Sequence, residues 1–177
     1  HEEGYDAIFM GIGAWKDYTL GIKGEDLNGV TQGIKFLSAV ANSPDKRVPI
    51  GKRAAVVGGG NSAIDCVRTL LRLGCEEVYI VYRRTRKEMP ANEVEIVASE
   101  HEGIKFQFLA APTRVIDDGQ GNVKGLEYLQ MELGEPDASG RRRPVPIEGS
   151  ETNLEVDMVI SAISQQPDIG FMEKQTD

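Results

Sequence analysis

The sequence predicts an α/β fold of three layers, a mainly parallel sheet with helices on both faces and an antiparallel β insertion late in the chain. Three observations carry this. Short apolar runs rich in β-branched residues alternate with stretches whose apolar residues recur every three to four positions. A glycine triplet, Gly58-Gly59-Gly60, stands where one such run gives way to a helical pattern. From Thr113 to Ile147 both patterns yield to two alternating runs punctuated by Asp118-Gly119-Gln120-Gly121-Asn122.

The elements follow in order. Tyr5-Asp6-Ala7-Ile8-Phe9-Met10 reads as a strand, with Gly11-Ile12-Gly13-Ala14 after it. Val30 to Ala41 puts Ile34, Leu37, Val40 and Ala41 on one side of a helix that Pro44 ends. Lys52 and Arg53 lead into Ala54-Ala55-Val56-Val57, apolar at every position and so suited to a strand covered on both faces. From Ser62 to Leu73 the residues Ile64, Val67, Leu70, Leu71 and Leu73 keep helical spacing, and Gly74 is placed to end that helix in a left-handed turn. Val78-Tyr79-Ile80-Val81-Tyr82 is the next parallel strand. Pro90 suits a first helical turn, and Glu93 to Glu102 continues as a helix with Val94, Val97 and Ala98 inward. Lys105 to Leu109 is a third strand. The antiparallel hairpin or meander of Thr113 to Ile147, with a polar loop from Gly134 to Arg143, precedes a return to the sheet at Asp157, where Val156 to Ile163 reads as a buried strand.

Composition narrows the function classes. With 40% hydrophobic and 27% charged residues in 177, the chain suits one ordinary globular domain. Its 20 basic and 28 acidic residues give a net charge of -8, which argues against nucleic acid or an anionic membrane as the main partner. No apolar run approaches the roughly 18 residues that span a bilayer, and the cytoplasm is the expected compartment. Cys66 and Cys75 match no metal-ligand or redox spacing and read as small core residues. His101, near a helix C-terminus, is the only internal histidine, and no nucleophile, base and orienting acid come together. Both chain ends read as cuts through a larger protein.

Gly58-x-Gly60-x-x-Ala63 follows a buried strand, opens a helix and lies inside a βαβ unit, the setting that the dinucleotide fingerprint of a Rossmann-like NAD(P)-binding domain requires. Gly58 allows the tight turn, Gly60 lets the backbone approach a pyrophosphate, and Ala63 lets the helix pack closely on its strand. With Gly59 between them, they lead to free N–H groups around Asn61 and Ser62 that would hold the phosphates. A plain tight turn is the competing account, which the context disfavours.

At the end of the second strand, where an NAD enzyme usually carries Asp or Glu, stand Arg83 and Arg84. Four basic groups within five residues, counting Arg86 and Lys87, make a positive site that suits the 2'-phosphate of NADPH; a solvated basic turn is the alternative. Arg141-Arg142-Arg143, far from the fingerprint in sequence, reads as solvated. Asp65, one turn into the fingerprint helix, either faces the nicotinamide or steadies the helix dipole.

The run Val56-Val57-Gly58-Gly59-Gly60-Asn61-Ser62-Ala63-Ile64-Asp65-Cys66-Val67-Arg68, with Tyr82-Arg83-Arg84 and Glu88-Met89-Pro90-Ala91, closely resembles the NADPH domain of the glutamate synthase small subunit. It is similar also to the corresponding domains of dihydropyrimidine dehydrogenase and related NADPH:ferredoxin-type oxidoreductases, over Tyr5 to about Pro167. The resemblance implies that Gly11-Ile12-Gly13-Ala14 and Ala162-Ile163-Ser164-Gln165-Gln166-Pro167, within residues 1–20 and 157–177, cross to an FAD domain of the same polypeptide and bring Ala162 and Ile163 to the cofactor. Ser164 stands where the family more often has glycine. The resemblance implies a flavoprotein hydride relay: NADPH reduces FAD, and electrons leave through iron-sulfur centres of a partner subunit or domain. This chain would hold the first station alone, binding NADPH without oxidising it unaided, since it lacks an FAD fingerprint and cluster cysteines. A thioredoxin reductase would carry a Cys-x-x-Cys, which is absent. A non-catalytic module, with the nucleotide regulatory, is the alternative from another class; the intact fingerprint and arginine pair stand against it.

Overall fold

A computed structural model of the chain describes residues 4–7, 9–43, 48–138 and 140–170. A short strand β1 (Lys16–Asp17) precedes β2 (Val30–Gln32) and α1 (Gly33–Asn42). Where the spacing predicts a helix from Val30, the first residues form a strand instead: Val30 and Thr31 are β-branched and pair with Val159 and Ile160. Pro44 lies outside the described residues. The unit around the glycine triplet follows as expected, with β3 (Arg53–Val57), α2 (Asn61–Arg72), β4 (Glu77–Tyr82), α3 (Glu93–His101) and β5 (Lys105–Phe108). Gly74, at φ +96, closes α2 in a left-handed turn. There the Gly74 N–H donates to the Leu71 carbonyl and that of Cys75 to Leu70, each at 3.0 Å, so the last carbonyls of the helix are satisfied.

The insertion comprises β6 (Ala110–Asp117), β7 (Val123–Pro136), β8 (Arg142–Pro146) and β9 (Thr152–Leu154), all antiparallel to their neighbours. The chain then returns through β10 (Met158–Ser161), and β11 (Gln165–Gln166) pairs antiparallel with β1. The main sheet has five strands in the order β2-β10-β3-β4-β5, every pair parallel.

The three layers are not the ones expected. Residues of α1, α2 and α3 join one core with Ala54, Val56, Ile80 and Ile160, whereas the opposite core joins Ala55, Val57, Val81 and Val159 to Val115, Val123, Leu126 and Tyr128 of the insertion. Among the described residues helices cover one face only, and the antiparallel sheet covers the other. Handedness explains this. The steps from β2 to β3, β3 to β4 and β4 to β5 all run the same way across the sheet, and right-handed crossovers then put every connecting helix on one side. The step from β5 back to β10 runs the other way and carries the insertion to the other side.

Two further expectations are corrected. Tyr5 to Met10 is not a strand in its described residues: it pairs with nothing there, and Tyr5 and Phe9 are 68% and 95% exposed. In α3 the buried residues are Ile96 and Ser99, while Val94 points to solvent. The helix is capped at Asn92, whose side chain accepts from the Val94 N–H at 3.0 Å, and its inward face begins at Ile96, two residues after Val94. Pro90 therefore precedes the helix rather than opening it. Both cysteines are buried and unpaired, and burial pushes the Cys66 thiol up to about 12, which makes it an inert core group.

Candidate functional site

The parallel sheet reverses its winding at the boundary between β3 and β10, and a cleft of about 650 Å³ opens at the carboxyl ends of β3, β4 and β10. The Gly58-Gly59-Gly60 turn forms its floor, and each glycine is there for a different reason. Gly58 has φ +149, donates to the Val81 carbonyl at 3.0 Å, and would put a Cβ 2.3 Å from the Ala162 carbonyl oxygen. It lets β10 come close. At Gly59 a Cβ would lie 2.6 Å from the ring of Tyr82, whose hydroxyl donates to the Glu88 carbonyl at 2.8 Å. Gly60 is different: its backbone is ordinary extended chain (φ -92) and a Cβ there would meet nothing within 4 Å.

Gly60 is also the N-cap of α2, so no side chain caps this helix. The Ala63 and Ile64 N–H groups bond the Gly60 carbonyl, whereas those of Asn61 and Ser62 meet no acceptor among the described residues. By contrast α3 is capped by Asn92. An uncapped helix N-terminus at the floor of a cleft presents unsatisfied donors and the positive end of the helix dipole, a combination that suits an anion. The donors and the free space above Gly60 fit a pyrophosphate.

The far wall is built on the end of β4. A 3-10 turn over Arg86–Glu88 begins at Thr85, whose N–H and hydroxyl both donate to the Glu88 carboxylate. The Thr85 hydroxyl holds that carboxyl below its usual range, and with it anchored the Glu88 carbonyl fixes Tyr82. Leu109, at φ +52, turns the chain from β5 into the insertion, held by its N–H to the Arg84 carbonyl (3.0 Å) and its own carbonyl to the Met131 N–H (2.8 Å). Ala110, Ala111 and Pro112 thereby line the cleft.

Of the residues singled out in the sequence, Gly58, Gly59, Gly60, Ser62, Arg83, Arg84, Ala162 and Ile163 line this cleft. Asn61 stands beside it with its side chain accepting from the Asn92 N–H at 2.9 Å. Asp65 does not reach it: Ala63, Ile64, Cys66 and Val67 of α2 are buried, and Asp65 lies on the exposed face, beyond the first turn. Arg86 is drawn to α3 by Glu93 (2.7 Å) and Glu100 (2.9 Å), and exposed Lys87 lies outside the cleft with it. The four-cation site therefore divides.

Arg83 is exposed and makes no hydrogen bond or ion pair among the described residues. Arg84 is only 5% exposed, because its guanidinium is committed to the insertion: Nη2 meets Asp137 Oδ2 and Nε donates to the Arg142 carbonyl, both at 2.7 Å. A buried guanidinium needs such partners. This contact folds the β7–β8 hairpin over the end of β4, so that Arg141, expected to be solvated and remote, lines the cleft. Nothing local in the sequence marks Arg141, since the contact joins positions 58 residues apart. Tyr82 and Gln165, to which the sequence assigns no site role, also line the cleft; the Gln165 amide donates to the Ser62 hydroxyl at 3.0 Å and ties β11 to the start of α2. Ser164 is not in the left-handed region, so glycine is not required there, and its carbonyl accepts from the Tyr18 N–H at 3.1 Å.

The sequence pattern of the pyridine nucleotide-disulphide oxidoreductase family matches residues 1–176. Among curated proteins the chain is 49% identical over 172 residues to the NADPH-Fe(3+) oxidoreductase subunit beta of Geobacter sulfurreducens, covering 95% of this chain and 25% of that protein. It is 37% identical over 174 residues to the glutamate synthase [NADPH] small chain of Escherichia coli, covering 92% and 36%. The chain thus spans about a quarter to a third of the length of these relatives. Among solved structures it is similar in fold to FprA, a Mycobacterium tuberculosis oxidoreductase, with a TM-score of 0.76 at 22% identity over 93% of this chain and 51% of that one.

Proposed function

Because the chain belongs to the pyridine nucleotide-disulphide oxidoreductase family, we propose that its cleft binds NADPH and presents it to an FAD domain of the same polypeptide. Bound NADPH supplies a hydride from its nicotinamide. The observation that carries this reading is the uncapped N-terminus of α2 beside a Gly60 whose glycine the fold itself does not require. The Asn61 and Ser62 N–H groups hold the pyrophosphate, Gly58 keeps β10 close, and Arg83 meets the 2'-phosphate at the end of β4. Ala162 and Ile163, at the carboxyl end of β10, flank the cofactor where the chain leaves the sheet.

The surface supports a docked FAD domain. Of ten large hydrophobic side chains exposed among the described residues, eight (Tyr5, Phe9, Met10, Ile12, Trp15, Tyr18, Ile163 and Ile169) lie in residues 1–20 and 157–177. The two segments are joined where Lys16 and Asp17 pair with Gln166 and Gln165. Exposed apolar side chains gathered on two segments of this kind suit a docking face, and in this reading both segments cross to the FAD domain. The two relatives named for different acceptors share this domain at 49% and 37% identity, which favours an acceptor chosen elsewhere, with electrons leaving FAD through iron-sulfur centres of a partner subunit or domain. The cytoplasm, which keeps thiols such as Cys66 and Cys75 reduced, is the compartment of this reading.

Calorimetric titration of the chain with NADPH and NADH tests the assignment, followed by an assay of NADPH oxidation with ferricyanide and no added flavoprotein. The expected result is tighter binding of NADPH than of NADH and no steady oxidation. Equal affinity for the two nucleotides overturns the NADPH assignment, and steady turnover without flavin overturns the division of labour.

A further inference from the structure

Two arginines face the cleft from different parts of the chain: Arg83 from the end of β4 and Arg141 from the turn between β7 and β8. Arg84 lines the same cleft, with its guanidinium committed to the hairpin. Its buried guanidinium spans Asp137 and the Arg142 carbonyl, one residue on each side of the hairpin turn. That turn is closed on itself, with the Asp137 N–H donating to the Arg141 carbonyl at 2.8 Å and the Gly140 N–H to the Asp137 carbonyl at 2.9 Å. On the outer side Arg142 Nε donates to the Gly134 carbonyl at 3.1 Å. Whatever holds Asp137 therefore also holds the backbone of Arg141.

Resting on the nucleotide reading above, we propose that Arg141 is the second specificity-determining residue for the 2'-phosphate, acting with Arg83, and that Arg84 and Asp137 are positioning residues that hold the hairpin in place. Two guanidinium forks from separate elements can take a phosphate dianion from two directions, which neither a solvated basic turn nor a single strand end can do. Selectivity for the phosphorylated ribose then depends on the insertion.

NADPH and NADH are titrated calorimetrically into the wild type and into Arg141→Ala, Arg141→Lys and Asp137→Asn, with thermal melts of each. Arg141→Ala is expected to weaken NADPH roughly tenfold to a hundredfold and to leave NADH within about twofold. Arg141→Lys, which keeps the charge and loses the fork, recovers part of the loss. Asp137→Asn, with both cleft arginines intact, shifts the NADPH to NADH ratio in the same direction. A merely structural hairpin would lower both nucleotides together or neither. The inference is overturned if the wild type prefers NADPH and Arg141→Ala keeps that preference, or if the variant loses both nucleotides equally. A wild type with no preference overturns the NADPH reading itself and this inference with it.

Discussion

Gly60→Ala separates what the fold needs from what the ligand needs. At this position φ is -92 and a Cβ meets no atom within 4 Å, so alanine enters without strain or collision. Two small effects on stability oppose each other. Loss of backbone freedom in the unfolded chain favours alanine by about 0.4 to 1 kcal/mol, and alanine is a poorer N-cap than glycine by a similar amount. The melting temperature should therefore move little. Binding should not escape. A methyl group placed where a pyrophosphate approaches the turn is an overpacked contact of about 1 to 3 kcal/mol, and at about 1.4 kcal/mol per decade this weakens binding roughly fivefold to a hundredfold.

The pyrophosphate is common to NADPH and NADH, so both should weaken by the same factor and their ratio should stay at the wild-type value. Thermal melts and paired calorimetric titrations read all three quantities. A variant with wild-type melting and wild-type NADPH affinity would refute the reasoning, because it would mean that nothing approaches the turn at Gly60.

Gly58→Ala should fail in the opposite way: its Cβ would lie 2.3 Å from the backbone carbonyl oxygen of Ala162 at φ +149, so the melting temperature falls before any nucleotide is added. A melt within a degree or so of the wild type would contradict that packing. The Glu88 carboxyl is held below the ordinary carboxylate range in the folded protein, first by the Thr85 hydroxyl, so its contribution to stability is present above the ordinary value and is lost as pH falls through the depressed one. Glu88→Gln should accordingly lose less stability than the wild type on acidification below about pH 4, and parallel pH–stability curves for the two would show that the turn does not depend on the ionised carboxylate.

The parts legible in sequence are those whose cause is local. Val56 and Val57 run into three glycines and then into Ile64, Val67 and Leu70, and that order alone specifies strand, turn and helix. Gly74 is equally local, because a left-handed position after a helix favours glycine whatever surrounds it. Val30 to Gln32 reads as helix in sequence because a three-residue strand is too short for its period to outweigh the helix that follows, and only pairing with β10 settles it. Val94 reads as inward because it is apolar, but it stands in the first turn beside the Asn92 cap and is exposed, while Ile96 and Ser99 face the core.

The cleft shows most plainly why the rest was hidden. One half, from Gly58 to Ser62, is contiguous and carries its own signature. The other half is set by topology. Because β5 must return to β10 across the sheet against the direction of the helices, the right-handed rule sends that connection to the bare face, and there the insertion supplies Val115, Leu126 and Tyr128 as a second core. Once on that face its β7–β8 hairpin reaches the end of β4, where a buried Arg84 requires a partner and Asp137 provides one. Arg141 arrives in the cleft as a consequence of that ion pair. A run of three arginines in a polar loop carries no sign of this in sequence, since what distinguishes Arg141 from Arg142 and Arg143 is a contact made by a different residue 53 positions earlier than Asp137.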